Sequence, residues 1–105
     1  MFDPGTDIAV MNGINFLNEH GPVEWWNRID YDTLDMDTGF TCILGQVFEA
    51  DAQMTGFTCG YFYAQHTWPE LAADPIRHGF CAVDGVELRD EWVRSVEKIR
   101  AEIAA

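Results

Sequence analysis

The chain has 105 residues, 48% of them hydrophobic and 13% aromatic, enough for one domain that buries roughly 65% of its unfolded surface without staples and too apolar for disorder. Eighteen acids against six bases leave a net charge of −12, which argues against a plain nucleic-acid binder and against a polybasic membrane binder. Ser95, the single serine, has no G-x-S-x-G elbow around it, and Lys98, the single lysine, follows no glycine-rich phosphate loop, so serine-hydrolase and P-loop chemistry are disfavoured.

Asp3-Pro4 opens the first predicted helix, Asp3 as cap and Pro4 at the first helical position. Ile8, Val10, Met11, Ile14 and Leu17 form its apolar stripe, and His20-Gly21-Pro22 stops it. A short second helix is expected over 23–28, with Trp25 and Trp26 about 100° apart on it. The stretch Asp30-Tyr31-Asp32-Thr33-Leu34-Asp35-Met36-Asp37 reads as a turn-rich connector, with Asp30 and Asp35 as candidate helix caps. Ile43, Leu44, Val47 and Phe48 fall at helical spacing, predicting a helix over about 41–51. The segment Phe57–Tyr63, rich in Phe and Tyr and flanked by Gly56, is the strand candidate. Pro69 and Glu70 start a short helical turn through Ala73, which Pro75 ends. The last helix is the clearest. It starts at Asp84 or Gly85, and Leu88, Trp92, Val96, Ile99 and Ile103 recur on one face. Its acids come early and its bases late, complementing the helix dipole. The expected fold is a single mainly α domain of about four helices, with a minor β element near 57–63 that would make it α+β.

Two further patterns bear on organisation. Thr38-Gly-Phe-Thr-Cys42 recurs as Thr55-Gly-Phe-Thr-Cys59, with Gly79-Phe80-Cys81 as a shorter third copy. The irregular spacing favours three Gly-Phe turns, each tucking its phenylalanine into the core, over a true repeat. Charge is uneven: residues 1–76 carry twelve acids and one base, Arg28, whereas residues 77–105 carry six acids and five bases. No apolar run approaches the ~20 residues of a spanning helix, and the acidic start MFDPGTD is unlike a signal peptide. A cytoplasmic protein is therefore expected, with Cys42, Cys59 and Cys81 free.

The blocks D-x-D-x-L-D-M (Asp30 to Met36), C-I-L-G-Q-V-F (Cys42 to Phe48), H-G-F (His78 to Phe80) and L-x-x-x-W (Leu88 to Trp92) resemble, in the same order, a group of small uncharacterised actinobacteriophage proteins. The resemblance spans about 75 residues and departs from that pattern between Asp51 and Gly60. It implies a phage origin and a place in the host cell cytoplasm. It carries over no catalytic residue.

Four constellations could carry chemistry. His78 and Cys81 with Cys42 and Cys59 contain zinc-ligand types, but there is no C-x-x-C pair, and the cysteines read as small buried hydrophobes. Asp30, Asp32, Asp35 and Asp37 alternate like calcium ligands, but Gly39 stands one residue early and Gln46 holds the twelfth place from Asp35 where an EF-hand needs Glu. His20, His66 or His78 beside a carboxylate could do acid–base work, although eighteen acids make such proximity uninformative. Cys42 and Cys59 lie in the acidic portion, where a reactive thiolate is disfavoured, leaving Cys81 near Arg77 and His78. No metal, cofactor or catalytic residue is therefore assigned.

Surface recognition remains. The expectation is a non-enzymatic protein that binds and modulates a host protein with a basic surface, without binding nucleic acid or membrane. Its contact surface would be Glu24, Trp25, Trp26, Asp30, Tyr31, Asp32, Asp35 and Asp37, since tryptophan and tyrosine are frequent interface anchors; Trp68 is a further anchor candidate. Trp25, Trp26 and Trp68 each have a core reading beside the surface one, the core reading being ahead for any one of them, and Trp92 is assigned to the core. The alternative is a nucleic-acid mimic that blocks a DNA-binding host or defence protein. An unrecognised enzyme or metal-binding protein comes third.

Overall fold

The computed structural model describes residues 5–73, 78–80 and 85–104. The expectations placed on Asp3, Pro4, Pro75, Arg77, Cys81 and Asp84 fall outside them. The described residues contain six α-helices and one 3-10 turn, joined by turns and loops, with no strand among them. The fold is mainly α, as the periodicity predicts.

Helix α1, Thr6–His20, buries Ala9, Val10, Gly13, Phe16 and Leu17. Gly21 closes it, its N–H donating to the Leu17 carbonyl at 2.8 Å, and Pro22 prevents continuation. Its buried stripe is shifted from the predicted one. Phe16 enters the core, while Ile8 and Met11 face solvent. The 3-10 turn Trp25–Arg28 replaces the expected second helix. A turn of four residues lets the chain reverse after Pro22 and drop the Trp25 ring inward, where its Nε1 donates to Asn18 Oδ1 at 3.0 Å.

The single helix expected over 41–51 is two. Helix α2, Ile43–Val47, and helix α3, Glu49–Thr55, are separated at Phe48. Phe48 leaves helical geometry at φ −107°, ψ 17°, and its side chain is buried, in ring contact with Trp68 at 5.1 Å.

The strand expected over 57–63 does not form. Gly56, at φ +81°, ends α3 in the left-handed conformation that favours glycine. Helix α4, Gly60–Thr67, then begins. Gly60 sits where an added Cβ would lie 2.5 Å from the Leu44 carbonyl oxygen and 2.7 Å from that of Gly45. This close crossing of α2 and α4 decides the conformation of a segment whose aromatic composition alone suggests a strand. Helix α5, Pro69–Ala73, follows where the proline predicts it.

Helix α6, Gly85–Ala104, is continuous. Leu88, Trp92 and Val96 are fully buried and Ile99 is half-buried, but Ile103 is 56% exposed beyond the reach of its neighbours. Trp92 is the hub. Its Nε1 donates to the Gly79 carbonyl at 2.6 Å, Phe80 stacks on it at 5.6 Å, and Trp25 meets it edge-on at 6.4 Å.

The Gly-Phe echo has a different meaning from the expected one. Only Phe80 is fully buried; Phe57 is partly covered and Phe40 is 59% exposed. What the two longer copies share is their last residue. Cys42 caps α2 and Cys59 precedes α4 at the corresponding position, and both are buried.

Candidate functional site

The acidic connector is a loop held on two sides by side chains that bind its backbone. From α6, Arg89 donates through Nε to the Leu34 carbonyl at 3.0 Å and through Nη2 to that of Tyr31 at 2.8 Å. Arg100 donates through Nη2 to the carbonyls of Trp26 at 2.6 Å and Ile29 at 2.8 Å, and its guanidinium lies 4.8 Å from the centre of the Tyr31 ring. From α2, Gln46 donates to the Asp30 and Thr41 carbonyls at 3.2 and 2.8 Å and accepts from the Asp30 N–H at 2.5 Å. Ile29 and Leu34 plug the loop into the core.

These partners explain why the carboxylates remain outward. Arg100 is used on carbonyls, and Arg89 on carbonyls and on Asp90 of its own helix, not on the acids of the loop. Asp30 and Asp35 each accept the N–H two residues on, from Asp32 at 3.0 Å and from Asp37 at 2.9 Å. Both therefore cap turns, not helices, a local use of aspartate that tightens a loop. Asp30, Asp32, Asp35 and Asp37 are all exposed. Among the described residues, ion pairs form elsewhere, at Arg89–Asp90 and Arg94–Glu91, and His20 lies 3.9 Å from Glu19. The loop thus presents four carboxylates on a backbone whose position is set from both sides.

The other expected contact residues divide. Glu24 is exposed, in a left-handed conformation at φ 57°. Trp26 and Tyr31 are half-buried, and burial raises the Tyr31 hydroxyl pKa above its ordinary value against the opposing charge of Arg100. Trp25 is 1% exposed and cannot serve as a contact anchor, because it is part of the ring cluster around Trp92. Trp68 is likewise occupied, touching Phe16, Phe48, His20 and Tyr63. The exposed aromatic that the sequence reading assigned to the core is Phe40. It borders a groove with Asp30, Thr33, Thr41 and Gln46. Its signal was weak: Phe40 carries the same T-G-F-T-C context as Phe57, and nothing in that context says which ring turns outward. Gln46, Arg89 and Arg100 were also missed as positioning residues. Their scarcity was the available clue, since so acidic a chain has few bases to commit.

The chemical constellations come apart in three dimensions. His20 and His78 line one open cleft on either side of Phe16, at 4.8 and 6.0 Å between ring centres, with Glu19 and Glu70 at its edge. His66 lies elsewhere, against Phe57 at 5.1 Å. Among the described residues no three of His, Cys, Asp and Glu gather closely enough to hold a metal ion. No described helix is long and apolar enough to cross a membrane.

Cys42 accepts the Gly45 N–H at 3.3 Å as a cap, and burial pushes its thiol up to about 11. Unfolding returns it to an ordinary value near 9.0. Above that pH the unfolded thiol ionises while the folded one stays protonated, so the unfolded state binds fewer protons and stability falls as pH rises from 9 towards 11. At ~1.4 kcal/mol per unit, the full effect is about 2–3 kcal/mol. Denaturant melts at pH 8, 9 and 10 should show the decline, and Cys42→Ala should flatten it. Cys42 and Cys59 should react with a thiol reagent only after unfolding.

No family model matches the chain, and neither a curated protein nor a solved structure matches it.

Proposed function

We propose that the chain is a phage-encoded, non-enzymatic binding protein whose acidic loop docks a basic surface on a host protein. The observation that carries this reading is the direction of the loop's own bonds. Arg89, Arg100 and Gln46 bind its backbone and leave the side chains of Asp30, Asp32, Asp35 and Asp37 exposed. A fixed array of unneutralised carboxylates favours steering and register, which is the main contribution of charge to recognition. Exposed Phe40 beside Asp30, and half-buried Trp26, supply apolar contacts of the kind that anchor an interface. The phage origin rests on the resemblance of the sequence blocks. In the fold those blocks have a common purpose: Gln46 of the second holds Asp30 of the first, and Leu34 and Phe48 are buried.

The test is comparative capture from a bacterial lysate. The parent chain and a variant with Asp32, Asp35 and Asp37 replaced by Asn serve as baits, and the catches are quantified by mass spectrometry. A protein enriched by the parent and depleted at least tenfold with the variant is expected. Equal catches would remove the acidic loop from the binding surface. If the captured protein is a DNA-binding one and duplex DNA releases it, the mode of binding is nucleic-acid mimicry.

A further inference from the structure

We infer that the recess between the acidic loop and α4 takes one arginine side chain of the basic partner. The inference rests on the reading of the loop as a docking surface and names the group which that surface holds. The recess encloses about 270 Å³, below the ~300–1,000 Å³ of sites for drug-sized ligands, which suits a single side chain. Its floor is Phe80 and Cys42, both buried, and its walls include half-buried Met36 and Tyr61. Among the described residues lining it, Asp37 is the single charged one. The Asp37 side chain is exposed and stands in none of the described ion pairs. The wall is built by the chain's own bonds. Asp37 donates its N–H to Asp35 Oδ1 at 2.9 Å, Phe40 to Thr38 Oγ1 at 3.2 Å and Cys42 to the Thr38 carbonyl at 3.1 Å. Gly39 lies so close to α4 that a Cβ there would stand 3.1 Å from the Tyr61 Cβ. A preformed recess spares the ordering cost of binding.

The lining selects the occupant. Apolar walls with one carboxylate among them match a side chain that has an aliphatic stem and a cationic head, and the same carboxylate repels an acidic one. Lysine and arginine share that plan. Arginine is favoured because its guanidinium is more weakly hydrated than an ammonium, stacks on an aromatic face such as that of Tyr61 and grips a carboxylate through two parallel N–H groups. The groove lined by Phe40 is the poorer receptor for a cation, because Arg28 stands in it beside Asp30 and Glu49.

Nuclear magnetic resonance titration of the full chain tests this, with a blocked pentapeptide that carries one arginine between glycines. Amide shifts are expected to concentrate at residues 36–42 and 61 and to saturate in the millimolar range. The same peptide with citrulline, the neutral isostere, should bind about tenfold more weakly, the worth of one hydrogen bond to a charged group, and the lysine peptide should also bind more weakly. Asp37→Asn, at an exposed side chain, should weaken the arginine peptide by a similar factor and keep the parent's helical circular dichroism. Tyr61→Leu, where folded, should remove the preference for arginine over lysine. Unsaturable shifts spread over Asp7, Glu49 and Asp51 as much as over the loop would overturn the inference. So would equal binding of the arginine peptide and either of the other two, or undiminished binding by the Asp37→Asn variant. Lysate capture that still depends on the loop, beside an arginine peptide that does not saturate here, would remove the recess and leave the loop as the docking surface.

Discussion

Trp92→Ala is expected to destabilise the chain by about 3–5 kcal/mol, the usual cost of deleting a buried large aromatic. Trp92 is fully buried between Trp25 and Phe80, and its indole N–H occupies the Gly79 carbonyl. The substitution leaves a cavity and an unpaired carbonyl together. A small domain holds only ~5–15 kcal/mol in total, so the variant should melt at far lower denaturant or not fold. Trp92→Phe separates the two effects. It keeps most of the ring contacts and loses the hydrogen bond, for about 1–3 kcal/mol. A Trp92→Ala variant with the parent's denaturation midpoint would show that α6 is not packed as described.

Helix α6 was legible in the sequence because it is long and one-sided, with an acid, Glu87, in its first turn. Helix α1 was legible in extent but not in face. Its mixed spacing admits two stripes, and neighbours remote in sequence, Trp68, His78 and Phe80, select the one with Phe16 over the one with Met11. The segment 57–63 misled for a related reason. Aromatic residues suit a strand wherever a neighbouring strand exists, and here the neighbour is a helix, α2, approached closely enough to require Gly60. The break at Phe48 is likewise a tertiary choice, since the local pattern continues through it.

Gly13→Ala is expected to destabilise by about 1–3 kcal/mol, the range for overpacking a filled core. The sign makes this informative. Glycine within a helix normally costs up to about 1 kcal/mol relative to alanine, so propensity alone predicts a more stable variant. In the fold, a Cβ on Gly13 would lie 2.3 Å from the His78 carbonyl oxygen and 2.7 Å from the Trp92 ring. The backbone oxygen cannot rotate away as a flexible side chain could. Chemical denaturation reads the outcome directly, and a rise in stability would contradict the close approach of α1 to residues 78–80.

The acidic loop was legible as charge and as turns, with its four aspartates in the expected stretch. Its rigidity was not. That depends on Gln46, which lies 16 positions from Asp30, and on Arg89 and Arg100, which lie much farther along the chain. Nothing local marks an arginine as binding the loop's carbonyls and not its carboxylates. The same distance hid the burial of Trp25, whose neighbours on α6 are remote in sequence.

The most direct measurement of the central claim is the association rate with the captured host protein, followed against salt. The Debye length shrinks from ~10 Å at 0.1 M to ~3 Å at 1 M, so docking steered by exposed aspartates must slow as salt rises. Replacing Asp32, Asp35 and Asp37 with Asn preserves side-chain size and should lower the low-salt association rate roughly tenfold and flatten its salt dependence, with dissociation little changed. Phe40→Ala should do the reverse, raising the dissociation rate with association nearly unaltered. Folded aspartate variants that associate at the parent's rate, with the parent's salt dependence, would contradict the assignment of the loop as the docking surface.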